Sequence, residues 1–281
     1  MPFTGSHAAA VVPLTGLGFV PSALVVGSMA PDVPYYVPLP VAHDVSHSLV
    51  GIGTADVWLG LVVFGVWQAA VAAAVVAIGP AGLRSRLGPA SPAGLRYHLT
   101  SVRRAALVLV SLAIGAATHV VWDAFTHSGS WGTERFDVLR ASFGPLPLYR
   151  WAQYGSGLVG GAVLLAAAVR WWRATSPRPD AGRVHSAAGP RVALGVWAAV
   201  LCVAAVVGAV AAAGPLTAVT GADWRAAVFR GVTRGGGAGG LVLVGFAVAW
   251  TLRTGGSAGG SAGRSAGGSV GGSVGGGGGR V

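Results

Sequence analysis

The chain has 281 residues, of which 53% are hydrophobic and only 10% are charged. An ordinary soluble domain carries about 25% charged residues, so this composition excludes a soluble globular protein. The same apolar content excludes disorder over most of the length. The net charge of +11 comes from arginines that lie between apolar runs. We therefore expect the partners to be membrane lipids, whose cytoplasmic surface is anionic, and not nucleic acid.

The first apolar stretch, at about 8–30, is interrupted by Pro13, Gly16, Gly18 and Pro21. This pattern predicts either one poor span or a broken hairpin that returns to the side from which it started. Non-helical backbone at membrane depth is tolerated only where protein covers it or where it lines a cavity, so a hairpin here would indicate a site. No arginine or lysine precedes the stretch, which disfavours a cleaved signal peptide. We expect the segment to be retained.

Five later segments reach or approach the roughly 20 apolar residues that a membrane-spanning helix needs. They lie at about 49–78, 105–125, 152–172, 191–213 and 239–252, the last being short. The predicted fold class is therefore all-α. We expect a polytopic integral membrane helical bundle with five to six transmembrane helices.

The chain is expected to divide into four parts. Residues 1–172 form a membrane-embedded region with a metal site, 173–190 a cytoplasmic linker, 191–253 the C-terminal transmembrane helices, and 254–281 a disordered Gly/Ser-rich tail. If the spans alternate in direction, the more arginine-rich loops share one side with the tail. The positive-inside rule makes that side cytoplasmic. These features predict a multi-pass protein of the inner (plasma) membrane with a cytoplasmic C-terminus.

A first cluster of ionisable groups lies in the stretch 30–48 and contains Asp32, His43, Asp44 and His47. The two histidines are four residues apart, so they would share a face if this stretch is helical. Ionisable groups near the bilayer are rare and usually face a cavity or a partner. The cluster therefore marks a candidate site.

A second cluster, His119, Asp123 and His127, repeats every four residues at the end of the third apolar run. On a helix that continues so far, the three side chains would form one polar stripe. The predicted orientation brings both clusters to the extracytoplasmic end of the bundle. His7 joins them only if residues 8–30 form a hairpin, because a span would place His7 on the cytoplasmic side.

Imidazole and carboxylate ligands together suit zinc, manganese or iron, and a set without cysteine is more typical of catalytic than of structural zinc. We expect a divalent metal, with zinc the first choice. A catalytic ion makes hydroxide available near neutral pH, which points to hydrolysis with Asp32 or Asp123 as a ligand or a general base. The candidate metal ligands are His7, Asp32, His43, His47, His119, Asp123 and His127.

Each of these residues also has a simpler interpretation. A single histidine near a membrane interface is usually a polar tip among the headgroups. Asp32 would close a turn or cap a helix, and His43 and His47 would flank the start of a span with a serine as its N-cap. The simpler interpretation fits His119 and Asp123 least, because both lie within an apolar helix and would be costly there without partners.

Several ordered motifs resemble a bacterial membrane family of unknown function, the domain-of-unknown-function 4184 family, over about residues 1–160 and more loosely to 250. The motifs are MPFTGSHAAAVVPL, SALVVGSMAPDVPYY, HSLVGIGTADVWLG, GAATHVVWDAFTHSGSWG and PLPLYRWAQYGSG. The pattern is also similar to that of membrane-bound metal-dependent hydrolases and, more distantly, of zinc phospholipase C. That resemblance implies His7, Asp32, His47, His119 and Asp123 as metal ligands, with His127 as a further candidate. The chain lacks the second pair of ligands ending in a carboxylate that the multi-zinc enzymes of that group have, so we expect one or two metals.

Three functions fit these observations. The first is a metal-dependent hydrolase of a phosphoester or ester, with a small-molecule or lipid substrate reached at headgroup depth. The second is a transporter in which the histidines and carboxylates form a proton or ion path. Histidines and carboxylates are absent from the later apolar runs, which speaks against it. The third is a membrane scaffold that a metal stabilises without chemistry.

Overall fold

The computed structural model describes residues 4–87, 94–178, 188–216 and 223–262. Within these residues the chain is almost entirely helical, which confirms the predicted fold class. Residues 179–187, half of the predicted linker 173–190, lie outside the described residues, and so does the predicted tail from residue 263 onwards.

Short helices make up the N-terminal part of the chain, before the first long apolar run. They are a 3₁₀ turn at Thr4–His7, α1 at Ala8–Val11, a 3₁₀ turn at Val12–Gly16, α2 at Pro21–Gly27, a 3₁₀ turn at Ala30–Asp32, α3 at Val33–Tyr36 and α4 at His43–Ser46.

The first long apolar run is a continuous helical segment in which two π turns interrupt the α-helix. Its parts are α5 at Leu49–Gly51, a π turn at Ile52–Asp56, α6 at Val57–Val66, a π turn at Trp67–Val71 and α7 at Ala72–Ile78.

The remaining helices include the four other long ones, and a small hairpin lies between two of them. They are α8 at Ala81–Arg84, α9 at Gly94–Leu99, α10 at Val102–Thr126, α11 at Trp131–Arg135, α12 at Asp137–Arg140, α13 at Leu148–Ala174, α14 at Pro190–Leu216 and α15 at Trp224–Ala262. The hairpin pairs β1 at Ser142–Phe143 with β2 at Leu146–Pro147 in antiparallel register.

Within the described residues, five helical segments are long and apolar enough to cross a membrane, in line with the five to six that the sequence predicts. They are Leu49–Ile78, Val102–Arg135, Leu148–Ala174, Pro190–Gly214 and Trp224–Thr254. Many of their large apolar side chains are exposed on the surface of the bundle, where a soluble protein would carry charge. This distribution fits contact with lipid.

The last span is longer than the run 239–252 predicted for it, because α15 begins at Trp224 and also extends into the predicted tail. Glycines lower helix propensity by about 1 kcal/mol each, so the sequence pattern does not predict the full length of this helix. Here they permit close packing. A Cβ at Gly235 would lie 2.4 Å from the carbonyl oxygen of Ala204 on α14, and a Cβ at Gly237 would lie 1.9 Å from that of Tyr36.

The stretch 8–30 forms a broken helical hairpin and not a span. The chain reverses around Gly18, whose φ of +86° is readily available only to glycine. The two ends of the hairpin meet, because the hydroxyl of Thr4 donates a hydrogen bond of 2.6 Å to Oδ2 of Asp32. His7 is therefore on the same side as the two predicted clusters.

The returning arm of the hairpin packs tightly against α10. A Cβ at Gly27 would lie 2.2 Å from the carbonyl oxygen of Leu112, and a Cβ at Gly115 would lie 2.3 Å from that of Leu24. This approach of two backbones brings the segment that carries Asp32 against the helix that carries the second cluster. The glycines thereby position the site.

Candidate metal centre

Both predicted clusters and His7 converge at one end of the bundle. Two overlapping groups each offer three ligand atoms that lie within 4.8 Å of one another. One group is His7, His119 and Asp123; the other is Asp32, His47 and His119. His119 is shared and fully buried, and its ring stacks on that of His7 with centroids 3.8 Å apart. A buried group of this composition could hold a metal ion.

Four donor atoms from the two clusters form four close histidine–carboxylate pairs. Nε2 of His47 lies 3.4 Å from Oδ1 of Asp32 and 3.7 Å from Oδ2 of Asp123. Nε2 of His119 lies 3.6 Å from the first of these oxygens and 3.4 Å from the second. Ligand atoms about 2.0–2.1 Å from a tetrahedral ion lie roughly 3.4 Å apart. Each of the four distances is compatible with two ligands of one ion, and the donor atoms of Asp32, His47 and His119 lie within 4.8 Å of one another; we call these three residues and Asp123 the inner set.

The inner set leaves buried polar atoms without hydrogen bonds. Among the described residues, Oδ1 of Asp32 and Nε2 of both His47 and His119 have no hydrogen-bond partner, and neither does Oδ1 of Asp123. An unsatisfied buried polar atom costs about 1–3 kcal/mol, and more if it is charged. Three of these atoms, on Asp32, His47 and His119, lie in one place and fit a cation that accepts their lone pairs, whereas Oδ1 of Asp123 faces His7 and His127. The residues present thus fit the divalent metal that the sequence predicts.

Asp123 also faces a second, more accessible group of donors. Its Oδ1 lies 3.6 Å from Nε2 of His7 and 3.4 Å from Nδ1 of His127. The His127 side chain is 22% exposed, whereas that of His119 is completely buried. We call His7, His127 and Oδ1 of Asp123 the outer set. It offers three protein donors, although His127 is in neither of the two groups of candidate ligands, and its edge is partly exposed at His127.

Neighbouring groups orient the two inner histidines. Nδ1 of His119 lies 2.8 Å from the carbonyl oxygen of Ser28, which can only accept, so the ring donates from Nδ1 and turns the lone pair of Nε2 inward. Nδ1 of His47 lies 3.0 Å from Oγ of Ser46, and that hydroxyl donates to the carbonyl oxygen of His43. Such outer partners fix the orientation of metal-binding histidines.

The remaining ligands are held in the same way. Oδ2 of Asp32 accepts from the hydroxyl of Thr4, which itself accepts a 3.0 Å hydrogen bond from the hydroxyl of Tyr36. Nε2 of His127 lies 2.9 Å from Nε2 of the fully buried Gln153. Sequence reasoning missed Thr4 and Gln153. Their only signal is that each is a polar residue close to an apolar segment.

Two electrostatic effects act on ligands outside the spans. Burial raises the pKa of the Asp32 carboxyl, but the neighbouring imidazoles of His119 and His47, together with the Thr4 hydroxyl, outweigh it and hold the pKa below its usual range. Burial, together with the neighbouring His119, lowers the pKa of His7 to about 4. Near neutral pH Asp32 is therefore a carboxylate and His7 is uncharged, the forms in which both bind cations.

Two other candidate residues lie beside this centre. Nδ1 of His43 lies 2.5 Å from the hydroxyl of Tyr35, and the His43 ring contacts that of His47 with centroids 4.1 Å apart. His43 is in neither of the two groups of candidate ligands, although the sequence predicts it as one. Asp56 is buried in the π turn, and within the described structure neither carboxylate oxygen has a hydrogen-bond partner.

We expect Thr4→Val to lower the affinity for the metal by about 10–100-fold, as loss of an outer partner typically does. The hydroxyl of Thr4 restrains Asp32 so that Oδ1 faces the histidines. Competition with a chelator of known affinity would measure the change. Thr4→Ser keeps the hydroxyl and should retain most of the affinity. Equal affinities in the valine variant and the wild type would show that this contact does not support the centre.

A comparison with known families places this geometry in context. The model of the domain of unknown function DUF4184 matches residues 1–249. The chain belongs to this family. The matched region contains every residue of the inner and outer sets, so the centre lies within the part that defines the family. No curated protein and no solved structure matches the chain.

Proposed function

We propose that this member of the family is a metal-dependent hydrolase of an ester or phosphoester. The single observation that carries the proposal is the inner set, in which imidazole and carboxylate donors from distant parts of the chain lie 3.4–3.7 Å apart, and three of the four have no hydrogen-bond partner among the described residues. A divalent ion, zinc first, supplies Lewis acidity and acidifies water for hydrolysis.

The two sets suggest a division of roles. Structural zinc sites usually have four protein ligands, whereas catalytic sites keep one position open. The inner set offers four protein donors, and the outer set offers three beside its exposed edge. We assign substrate binding to the outer set. Asp123 belongs to both sets, so its carboxylate would couple them, while Asp32 acts as a ligand of the inner set.

The predicted orientation is part of the proposal. Arg178 donates from its backbone nitrogen to the carbonyl oxygen of Ser85 at 2.8 Å, and Ala188 donates likewise to Ala77 at 3.1 Å. These contacts join the two arginine-rich connections at the end of the bundle away from the metal centre. The positive-inside rule then supports an extracytoplasmic centre and a cytoplasmic C-terminus in the plasma membrane.

Hydrolysis of simple chromogenic probes tests the proposal. The detergent-purified chain, loaded with zinc or manganese, should cleave p-nitrophenyl butyrate or bis-p-nitrophenyl phosphate. Asp123→Asn should lower kcat/KM by at least about a thousandfold, the scale on which loss of a principal electrostatic group acts. His98→Ala, far from the centre, serves as the control. Metal binding without turnover of either probe would overturn the hydrolase and leave a metal-stabilised scaffold.

A further inference from the structure

A cavity of about 230 Å³ lies directly beside the outer set. Its walls come from the first arm of the hairpin, from Trp122 on α10 and from one face of α13. His7 forms part of the wall, and its Nε2 lies 3.6 Å from Oδ1 of Asp123. The cavity therefore adjoins the outer set at His7.

The lining of this cavity is mostly hydrocarbon, and its polar groups at one wall are paired with each other. Nε1 of Trp122 donates a hydrogen bond of 3.1 Å to Oγ of Ser156, and that hydroxyl donates to the backbone oxygen of Gln153. Most of the remaining wall is formed by Ala9, Ala10, Val159, Gly160 and Val163. An apolar occupant would lose nothing by contact with these groups.

The mouth of the cavity opens on a surface that fits lipid. Val159 is 64% exposed and Val163 is 40% exposed, and both lie in the middle of α13, which is long and apolar enough to span a membrane. A molecule entering between α13 and the hairpin would therefore come from the bilayer. Hydrocarbon chains are what the bilayer offers at this depth.

From the apolar wall, the exposed valines on α13 and the shared His7, we infer that the cavity holds the hydrocarbon chain of the substrate. This substrate is an amphiphilic ester or phosphoester that enters sideways from the bilayer. The polar head then reaches His7, His127 and Asp123, while the chain lies against Trp122 and Val163. The inference rests on the proposed function for its chemistry. The binding of the chain can be tested without turnover.

Two matched valine variants test this inference. Val163→Phe fills the cavity, whereas Val169→Phe adds the same ring on the same helix, outside the cavity, at a valine with the same 40% exposure. The probe is a phosphatidylglycerol with a diazirine at the end of one acyl chain, photolysed in liposomes. In the wild type we expect cross-links at residues that line the cavity. Val163→Phe should reduce them about tenfold, which corresponds to the loss of roughly two methylene contacts.

In Val169→Phe we expect the same cross-linking of the cavity residues as in the wild type. Equal labelling of the cavity in all three proteins would overturn the inference. Ala10→Leu, which narrows the cavity from the opposite wall, repeats the test if Val163→Phe does not fold. Hydrolysis separates the two proposals, because Val163→Phe should lower kcat/KM about tenfold more for p-nitrophenyl octanoate than for p-nitrophenyl acetate. Differential labelling without any hydrolysis would retain the chain site and reject the hydrolase.

Discussion

Replacing His119 with alanine is expected to abolish stoichiometric metal binding. Nε2 of His119 belongs to both groups of candidate ligands and lies 3.4 Å from Asp123 and 3.6 Å from Asp32. Loss of an outer partner already costs about 10–100-fold in affinity, so loss of a shared ligand should cost more. Elemental mass spectrometry of the detergent-purified protein would measure the loss of bound metal.

His98→Ala is the matched control for this experiment. His98 lies on α9, near the start of α10, and its ring packs on Phe64 with centroids 5.4 Å apart. The control should therefore keep the metal content of the wild type. If His119→Ala also keeps it in a folded protein, the convergence of the two clusters does not form a metal centre.

Removal of the metal from the wild type is expected to lower the midpoint of thermal unfolding by on the order of 10 °C. An ion present at a thousand times its Kd stabilises the folded state by about 4 kcal/mol, and each kcal/mol shifts Tm by roughly 2–4 °C in a chain of this size. Without the ion, the buried oxygens of Asp32 and Asp123 would face each other and the histidines without a cation. The measurement is a melting curve in one detergent, before and after chelation.

The double variant Asp32→Asn/Asp123→Asn isolates this effect. Its amide groups can donate hydrogen bonds to the inward lone pairs of His47 and His119, and it carries no buried charge. We expect the chelator to leave the Tm of this variant unchanged. We also expect that Tm to be higher than the Tm of the metal-free wild type, because uncompensated buried charges destabilise strongly. A wild type whose Tm does not respond to chelation would contradict the role of the metal in stability.

The spacing of His119, Asp123 and His127 could be interpreted from sequence because a helix repeats every 3.6 residues, so that residues four apart share a face. The ion-pair distances on α10 agree with this periodicity. The roles of Thr4 and Gln153 could not be predicted in this way. Each acts across a sequence separation of more than 25 residues, and no local pattern encodes such a contact.

The path of residues 8–30 likewise depends partly on local sequence and partly on long-range packing. Proline and glycine break the helix locally, and this much is visible in the sequence. Whether the broken segment crosses the membrane depends on what its second arm packs against. Gly27 and Gly115 allow the backbones of α2 and α10 to approach within van der Waals contact, so the second arm returns along α10 and brings Asp32 back to His7.

The sequence by itself determined the membrane class, the approximate positions of the five spans and the identity of the candidate ligands, because composition and helical periodicity are local properties. Only the tertiary structure decided that His7 and Asp32 meet the stripe on α10, that Thr4 and Gln153 support them, and that α15 begins at Trp224. These outcomes depend on helix packing, where small residues let backbones touch and where each buried polar atom must find its partner from elsewhere in the chain.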